Sequence, residues 1–471
     1  MHTNQVYIEL DTVNNGLHKW WHRRWVKIIG IFIIILIIFA VTLTLMLNFV
    51  IFAPNKSETS TTIATSSSPL TTTTVSLVTP TTTLPRTTAT ITTQQSESTT
   101  SSSTSSLSES TSTTTTSTTS STTISSTAST TTSTTTIDIP EWTITGNMSV
   151  ARYWHTASTL ANGSVLVAGG YNSHSDHLNS ADLYNPSTGT WTATGNMSVG
   201  RQHHTASTLA NGLILVTAGI RVSSLNSAEL YNPSTGAWEI TGNMSVERYD
   251  HTASTLASGL VLVAGGFNSI GSLNSAELYN SSTGTWTTTG SMNVARNSHT
   301  ASTLANGYVL VTGGYNGFIL NSAELYNPST GTWTITGSMN VGRHNHAACT
   351  LTNGSILVTG GSNGDTFLKS AELYNPSTGT WTTTGNMNVA RRDNTASTLA
   401  NGLVLVVGGY NGYFLNSAEL YDPSTGTWTI TANMSIARGY HTASTLANGK
   451  ILVTGGENGG PLNSAELYQS I

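Results

Sequence analysis

Residues 299–333 read HTASTLANGYVLVTGGYNGFILNSAELYNPSTGTW, and this stretch decides the fold. It divides into short runs of β-branched or alternating residues, each bounded by Gly, Asn or Pro, which is the signature of strands. Asn306-Gly307 separates the first run from the second. Both positions accept φ > 0, so the pair predicts a tight hairpin. Gly313-Gly314 ends the second run where a Cβ would obstruct the chain. Pro328 opens a turn, PSTG, between the third run and the strand that carries Trp333. The stretch thus predicts four short strands in succession.

The same wording recurs along the chain. Tryptophans fall at 142, 191, 238, 286, 333, 381 and 428, spaced 47 to 49 residues apart. The motif A[DE]LY ends at Tyr184, Tyr231, Tyr279, Tyr326, Tyr374, Tyr421 and Tyr468. Six units carry Gly-Gly, and the second carries Ala218-Gly219 instead. Met-x-[VI]-x-Arg recurs seven times, from Met148–Arg152 to Met434–Arg438. Four-stranded units at such a period predict the blades of an all-β propeller, here with seven blades. The units are out of phase with residues 137–471. Trp142 belongs to a fourth strand with no three strands before it, and the last unit stops at Ile471 without a tryptophan strand. The strand around Trp142 is therefore expected to complete the last blade and remove the open edges at the seam.

The di-glycine, the Tyr of AELY and the following Trp resemble the kelch-repeat family over about Ile137 to Ile471. The repeats are also similar to those of the galactose oxidase propeller. The resemblance implies a kelch-type propeller whose ligand pocket lies on one face.

Comparison among the seven units separates scaffold from site. The repeated Trp, Tyr and Gly-Gly positions read as scaffold. Seven arginines (152, 201, 248, 296, 343, 391, 438) match seven acids (182, 229, 277, 324, 372, 419, 466) and are expected to form ion pairs. His155, His204, His251, His299, His346 and His441 recur three residues after the arginines, with Asn394 in the sixth unit. Repetition places these histidines one blade apart, whereas a metal needs several ligands around one point, so they read as caps of the inner strands. No metal or other cofactor is expected.

The units disagree at two places. Between Arg and His stand Tyr153-Trp154, Gln202-His203, Tyr249-Asp250, Asn297-Ser298, His344-Asn345, Arg392-Asp393 and Gly439-Tyr440. After the di-glycine stand Tyr171, Ile220, Phe267, Tyr315, Ser362, Tyr410 and Glu457. Both places lie in loops leaving the same edge, because strands alternate direction. Aromatics mixed with Arg, Asp and His make a binding composition. The candidate ligand-binding residues are Tyr153, Trp154, Tyr171, Gln202, His203, Tyr249, Asp250, Phe267, Tyr315, His344, Arg392, Asp393, Tyr410 and Tyr440.

A non-enzymatic binding or adhesion protein with a protein or glycan ligand is the expected function. The rival, implied by the second resemblance, is a copper radical oxidase, whose chemistry in that family uses two tyrosines, two histidines and a Cys–Tyr thioether. The only thiol is Cys349, at a position where other units carry Ser, and no partner tyrosine is marked out by spacing.

Residues 28–52 form an apolar run of 25 residues, long enough for a membrane-spanning helix and too long for a cleaved signal core. Lys19, Arg23, Arg24 and Lys27 precede it and only Lys56 follows closely, which predicts a cytoplasmic tail (1–27), a signal anchor (28–52) and a type II topology. Residues 53–136 are dominated by Ser and Thr and resemble a disordered, O-glycosylated stalk. Residues 137–471 then stand outside the membrane. Sequons at Asn147, Asn162, Asn196, Asn243, Asn280, Asn353 and Asn433 are candidate glycosylation sites there. Only 8% of residues are charged, with a net charge of −5 and no basic cluster beyond the amino terminus, which argues against nucleic-acid binding.

Overall fold

The computed structural model describes residues 140–174 and 176–470, together with the backbone of 88–90 and 136–138. The expected anchor at 28–52 and nearly all of the expected stalk lie outside the described residues. Within the Ser/Thr-rich stretch, Thr88–Thr90 pairs antiparallel with Thr136–Asp138. No order is expected there from composition, but consecutive Thr-rich residues favour extended backbone and can pair. Among the described residues no helix is long and apolar enough to cross a membrane.

Seven four-stranded antiparallel sheets form the blades. Blade 1 spans 156–193, blade 2 205–240, blade 3 252–288, blade 4 300–335, blade 5 347–383 and blade 6 395–430. Blade 7 takes three strands from 442–469 and its fourth, Glu141–Ile144, from the other end of the sequence. There Trp142 stands opposite Tyr468 and Ile144 opposite Glu466. Each innermost strand contacts the next, and Thr442–Thr445 contacts Thr156–Thr159, so the ring is closed.

The core lies between blades. In Val165–Ala168 all four residues are buried. Val165 and Val167 pack with Leu452 and Ala465 of blade 7, whereas Leu166 and Ala168 pack with Ile214, Val216 and Tyr231 of blade 2. Period-2 alternation thus sends successive side chains into two different interfaces. Outer-strand tryptophans fasten the rim. Trp238 stacks on Tyr231 at 5.1 Å and donates from Nε1 to Gly195 O at 2.7 Å. Trp142 donates likewise to Ala432 O at 2.7 Å, so the seam carries the same contact.

The seven Arg–acid pairs form within blades, and all seven arginines are fully buried. In blade 4 Arg296 Nη2 lies 2.8 Å from Glu324 Oε1, and Nη1 donates to Gly313 O and Ser322 O. Glu324 also accepts from the backbone of Asn293 and Val294. Burial pushes this carboxyl up, but the bonds from Asn293, Arg296 and Val294 outweigh it and hold it below its usual value. Each pair therefore ties the Met-x-[VI] segment to the loop after the second strand.

The histidines do not cap their own strands. His251 Nε2 meets Thr205 Oγ1 at 2.9 Å and Thr217 Oγ1 at 3.2 Å, both in the preceding blade. His155 meets Thr442 and Thr454 across the seam in the same way. The imidazole is long enough to cross the interface, which the linear spacing does not reveal. The junction of blades 5 and 6 differs: Asn394 replaces His, Ala347 replaces Thr, and Thr359 Oγ1 is buried without a partner.

Candidate functional site

The segment between each Arg and its His is held rigidly from both ends. Its first residue forms an antiparallel bridge with the residue after the di-glycine: Tyr153 with Tyr171, Gln202 with Ile220, Tyr249 with Phe267, Asn297 with Tyr315, His344 with Ser362, Arg392 with Tyr410, and Gly439 with Glu457. The two variable places are therefore direct neighbours in all seven blades. Close approach demands glycine here, since a Cβ on Gly170 (φ +99°) would lie 2.7 Å from Tyr153 O.

The second residue of each segment turns inward. Trp154, His203, Asp250, Ser298, Asn345, Asp393 and Tyr440 all have φ between 51° and 54°. Their backbones form a belt about the axis. Trp154 N donates to Tyr440 O, His203 N to Trp154 O, Asp250 N to His203 O, and the series continues through Ser298 and Asn345 to Asp393. Left-handed backbone costs a non-glycine residue about 1–2 kcal/mol, with Asn and Asp the best tolerated. Trp154, His203 and Tyr440 carry that cost in a ring where glycine would be easier. Strain of this kind gathers at functional sites.

These seven residues, with His155, Asn394 and His441 below, line a cup of about 350 Å³ at the mouth of the axial channel. One wall is aromatic: Trp154 lies 4.3 Å from His203, 5.1 Å from Tyr440 and 4.6 Å from Tyr153, between ring centroids. The two carboxylates flank this wall on opposite sides of the cup: Asp250 stands next to His203, 2.6 Å from its Nδ1, and Asp393 stands next to Tyr440 in the ring, 3.3 Å from Arg392 Nε. Burial raises the Tyr440 hydroxyl to about 12, and nearby Asp393 adds to the shift.

The candidate residues thus separate into two rings. Trp154, His203, Asp250, Asp393 and Tyr440 line the cup. Tyr153, Tyr171, Gln202, Tyr249, Phe267, Tyr315, His344, Arg392 and Tyr410 belong to the surrounding bridges. Of these, Tyr153 is only 9% exposed and offers little surface to a ligand. Arg392 lies over Phe367 and Tyr410, with its guanidinium carbon 5.6 and 5.5 Å from the ring centroids. Sequence reasoning did not select Ser298, Asn345 or Asn394 for the site. Asn394 carries a legible signal, its break in the histidine series.

A family profile described as Kelch motif matches residues 155–198, 203–245, 248–293, 296–340, 343–388 and 391–435. The chain belongs to the kelch-motif family. Its kelch ring is also similar to a solved structure described as a novel fungal alcohol oxidase of the AA5 family in complex with copper. The TM-score is 0.60 at 20% identity, covering 70% of this chain and 76% of that one. At that identity the likeness speaks for the fold. No curated protein matches the chain significantly.

Cys349 sits on the innermost strand of blade 5, opposite Leu357, and burial pushes its thiol up to about 12. Tyr421, in the same cluster, donates to or accepts from Thr384 Oγ1 at 2.8 Å and belongs to the scaffold series. Among the described residues no group of three or more His, Cys, Asp or Glu is placed to hold a metal ion.

Proposed function

We propose that this kelch propeller is a binding module that takes a protein partner on the face bearing the cup. The observation that carries this reading is the belt of seven left-handed residues, three of them bulky rings that a purely structural turn would not select. Exposed apolar side chains on the surrounding loops support it: Val222 and Ile270 are each 91% exposed, Phe318 80% and Tyr413 81%. They stand on loops joining second to third strands, which start beside the cup. Apolar tips around a polar, aromatic centre match the composition of a protein-binding surface. Adhesion is a narrower version of the same proposal, and a glycan ligand is an alternative outcome of the test.

The test is a panel of cell-surface proteins and glycans probed with the full-length chain. Binding to any hit should weaken about tenfold or more in Trp154→Ala and Phe318→Asp, since central aromatics dominate such interfaces. Ile335→Ala, on an outer strand, should leave it unchanged. Binding indifferent to the first two variants would overturn the reading.

We also propose that the module is displayed on a membrane. The apolar run 28–52 and the basic residues before it support this, and an endoglycosidase mobility shift on the expressed chain tests it. A copper oxidase is the second reading, favoured only by the structural neighbour. Stoichiometric copper with alcohol oxidation by the purified chain would establish it.

A further inference from the structure

We propose that the cup receives a protonated primary amine, the lysine side chain of a partner, between its carboxylates and its aromatic wall. The inference rests on the cup face being the binding face and names what the centre of that face recognises.

Three observations converge. Asp250 and Asp393 both line the cup, with side chains 26% and 12% exposed. Their own countercharges are weak. His203 neutralises Asp250 only when its imidazole carries a second proton. Arg392 touches Asp393 through Nε alone, at 3.3 Å, while its guanidinium lies over Phe367 and Tyr410. Burial pushes Asp393 up to about 7, with Asp250 adding to the shift and Arg392 and His203 opposing it. Both carboxylates, facing each other across the cup, are short of positive charge.

Asn394 is the second observation. It is only 8% exposed, lines the cup, and neither Oδ1 nor Nδ2 has a partner. In the other six blades the equivalent histidine is engaged by the neighbouring blade. Here Ala347 cannot reciprocate, so a buried amide is left without a protein partner at the base of the cup, with its Oδ1 on the side of Gly360. The third is the wall of Trp154 and Tyr440, whose faces attract a cation once it is desolvated. An ammonium on an apolar stem fits this combination. An anion would meet two carboxylates, and a neutral ligand would leave them unpaired. The volume of about 350 Å³ suits a single extended side chain rather than a folded segment.

The probes are n-butylammonium, 1-butanol and butyrate, titrated into the full-length chain by calorimetry and saturation-transfer NMR. Butylammonium should bind about tenfold or more tightly than butanol, as a charge-assisted contact requires, and butyrate should not bind. Asp393→Asn and Asp250→Asn should each weaken butylammonium by about tenfold. Glu239→Gln, which removes an exposed carboxylate on an outer strand, should not. Equal binding of butanol, no binding of butylammonium, or unchanged affinity in both Asp variants overturns the proposal. The three-probe comparison on the unaltered chain needs no variant to fold. If Trp154→Ala abolishes binding of a partner while butylammonium never binds, the lysine inference fails and the binding face stands. If butylammonium binds but no partner responds to Trp154→Ala, the face reading fails and the amine site stands.

Discussion

At the scale of single residues, the ring is held by charges and imidazoles that have no access to water. Arg438 is fully buried and its Nη2 lies 2.8 Å from Glu466 Oε1. Removing it in Arg438→Ala would leave a buried carboxylate without its cation. The expected loss is about 3–5 kcal/mol, read by chemical denaturation. A loss within error would show that Glu466 is solvated in some other way. The junction of blades 5 and 6 allows the opposite experiment. Asn394→His would place an imidazole beside the unpartnered Thr359 Oγ1, as His155 stands beside Thr454. One added hydrogen bond contributes about 1 kcal/mol, so the melting temperature should rise. The same change should weaken amine binding in the cup. The Arg–acid pairs were legible in the sequence because seven arginines match seven acids in register. The histidine contacts were not, because Thr205 and His251 belong to different blades and only the folded ring shows which strand faces which. The left-handed belt was equally hidden. Its members are Trp, His, Asp, Ser, Asn, Asp and Tyr, and only the Asn, Asp and His among them hint at φ > 0.

At the scale of elements, the seam strand carries more than its four residues would in any other blade. Glu141–Ile144 pairs with Ala465–Gln469, and Trp142 stacks on Tyr468 at 5.2 Å. Deleting 141–145 would expose the edge of Ala465–Gln469 and unfasten the contact to Ala432. Unfolding midpoints should fall for probes in every blade, not only in blade 7. A shift confined to blade 7 would mean that the blades do not share one transition. Trp142→Ala should cost about 2–3 kcal/mol, below the value for a fully buried tryptophan because the ring is only partly buried. Strand number, order and this borrowed strand followed from spacing alone, since Trp142 begins the tryptophan series and no tryptophan follows Tyr468. Strand directions likewise placed the two variable loops on one edge. That they would touch, residue by residue, required the bridges themselves.

At the scale of the whole molecule, six histidines fasten the ring in the neutral form. Burial, reinforced by neighbouring arginines, holds His204, His299 and His441 down at about 3. His155, His251 and His346 are also held well below the ordinary range by burial, with Arg152, Arg248 and Arg343 adding to it. Unfolded, each would take up a proton near pH 6.5, so between about 6.5 and 3 the unfolded chain binds more protons than the folded one. Their stabilising contribution is complete above that window and is lost as pH falls. Asp393 has the opposite sign: its folded value of about 7 gives stability that fades as pH rises. One group against six does not reverse the trend. Melting temperature should therefore drop from pH 7 to pH 4.5, with up to about 1.4 kcal/mol per pH unit for each histidine. A flat profile would place these imidazoles in contact with water. The borrowed strand also sets an order in time. Residues 141–144 are made before every other strand of the ring, yet their partners at 465–469 are made after all the others of the ring. Six blades can be assembled while the leading strand waits unpaired, and any chain arrested before residue 465 leaves the ribosome as an open arc with two sticky edges.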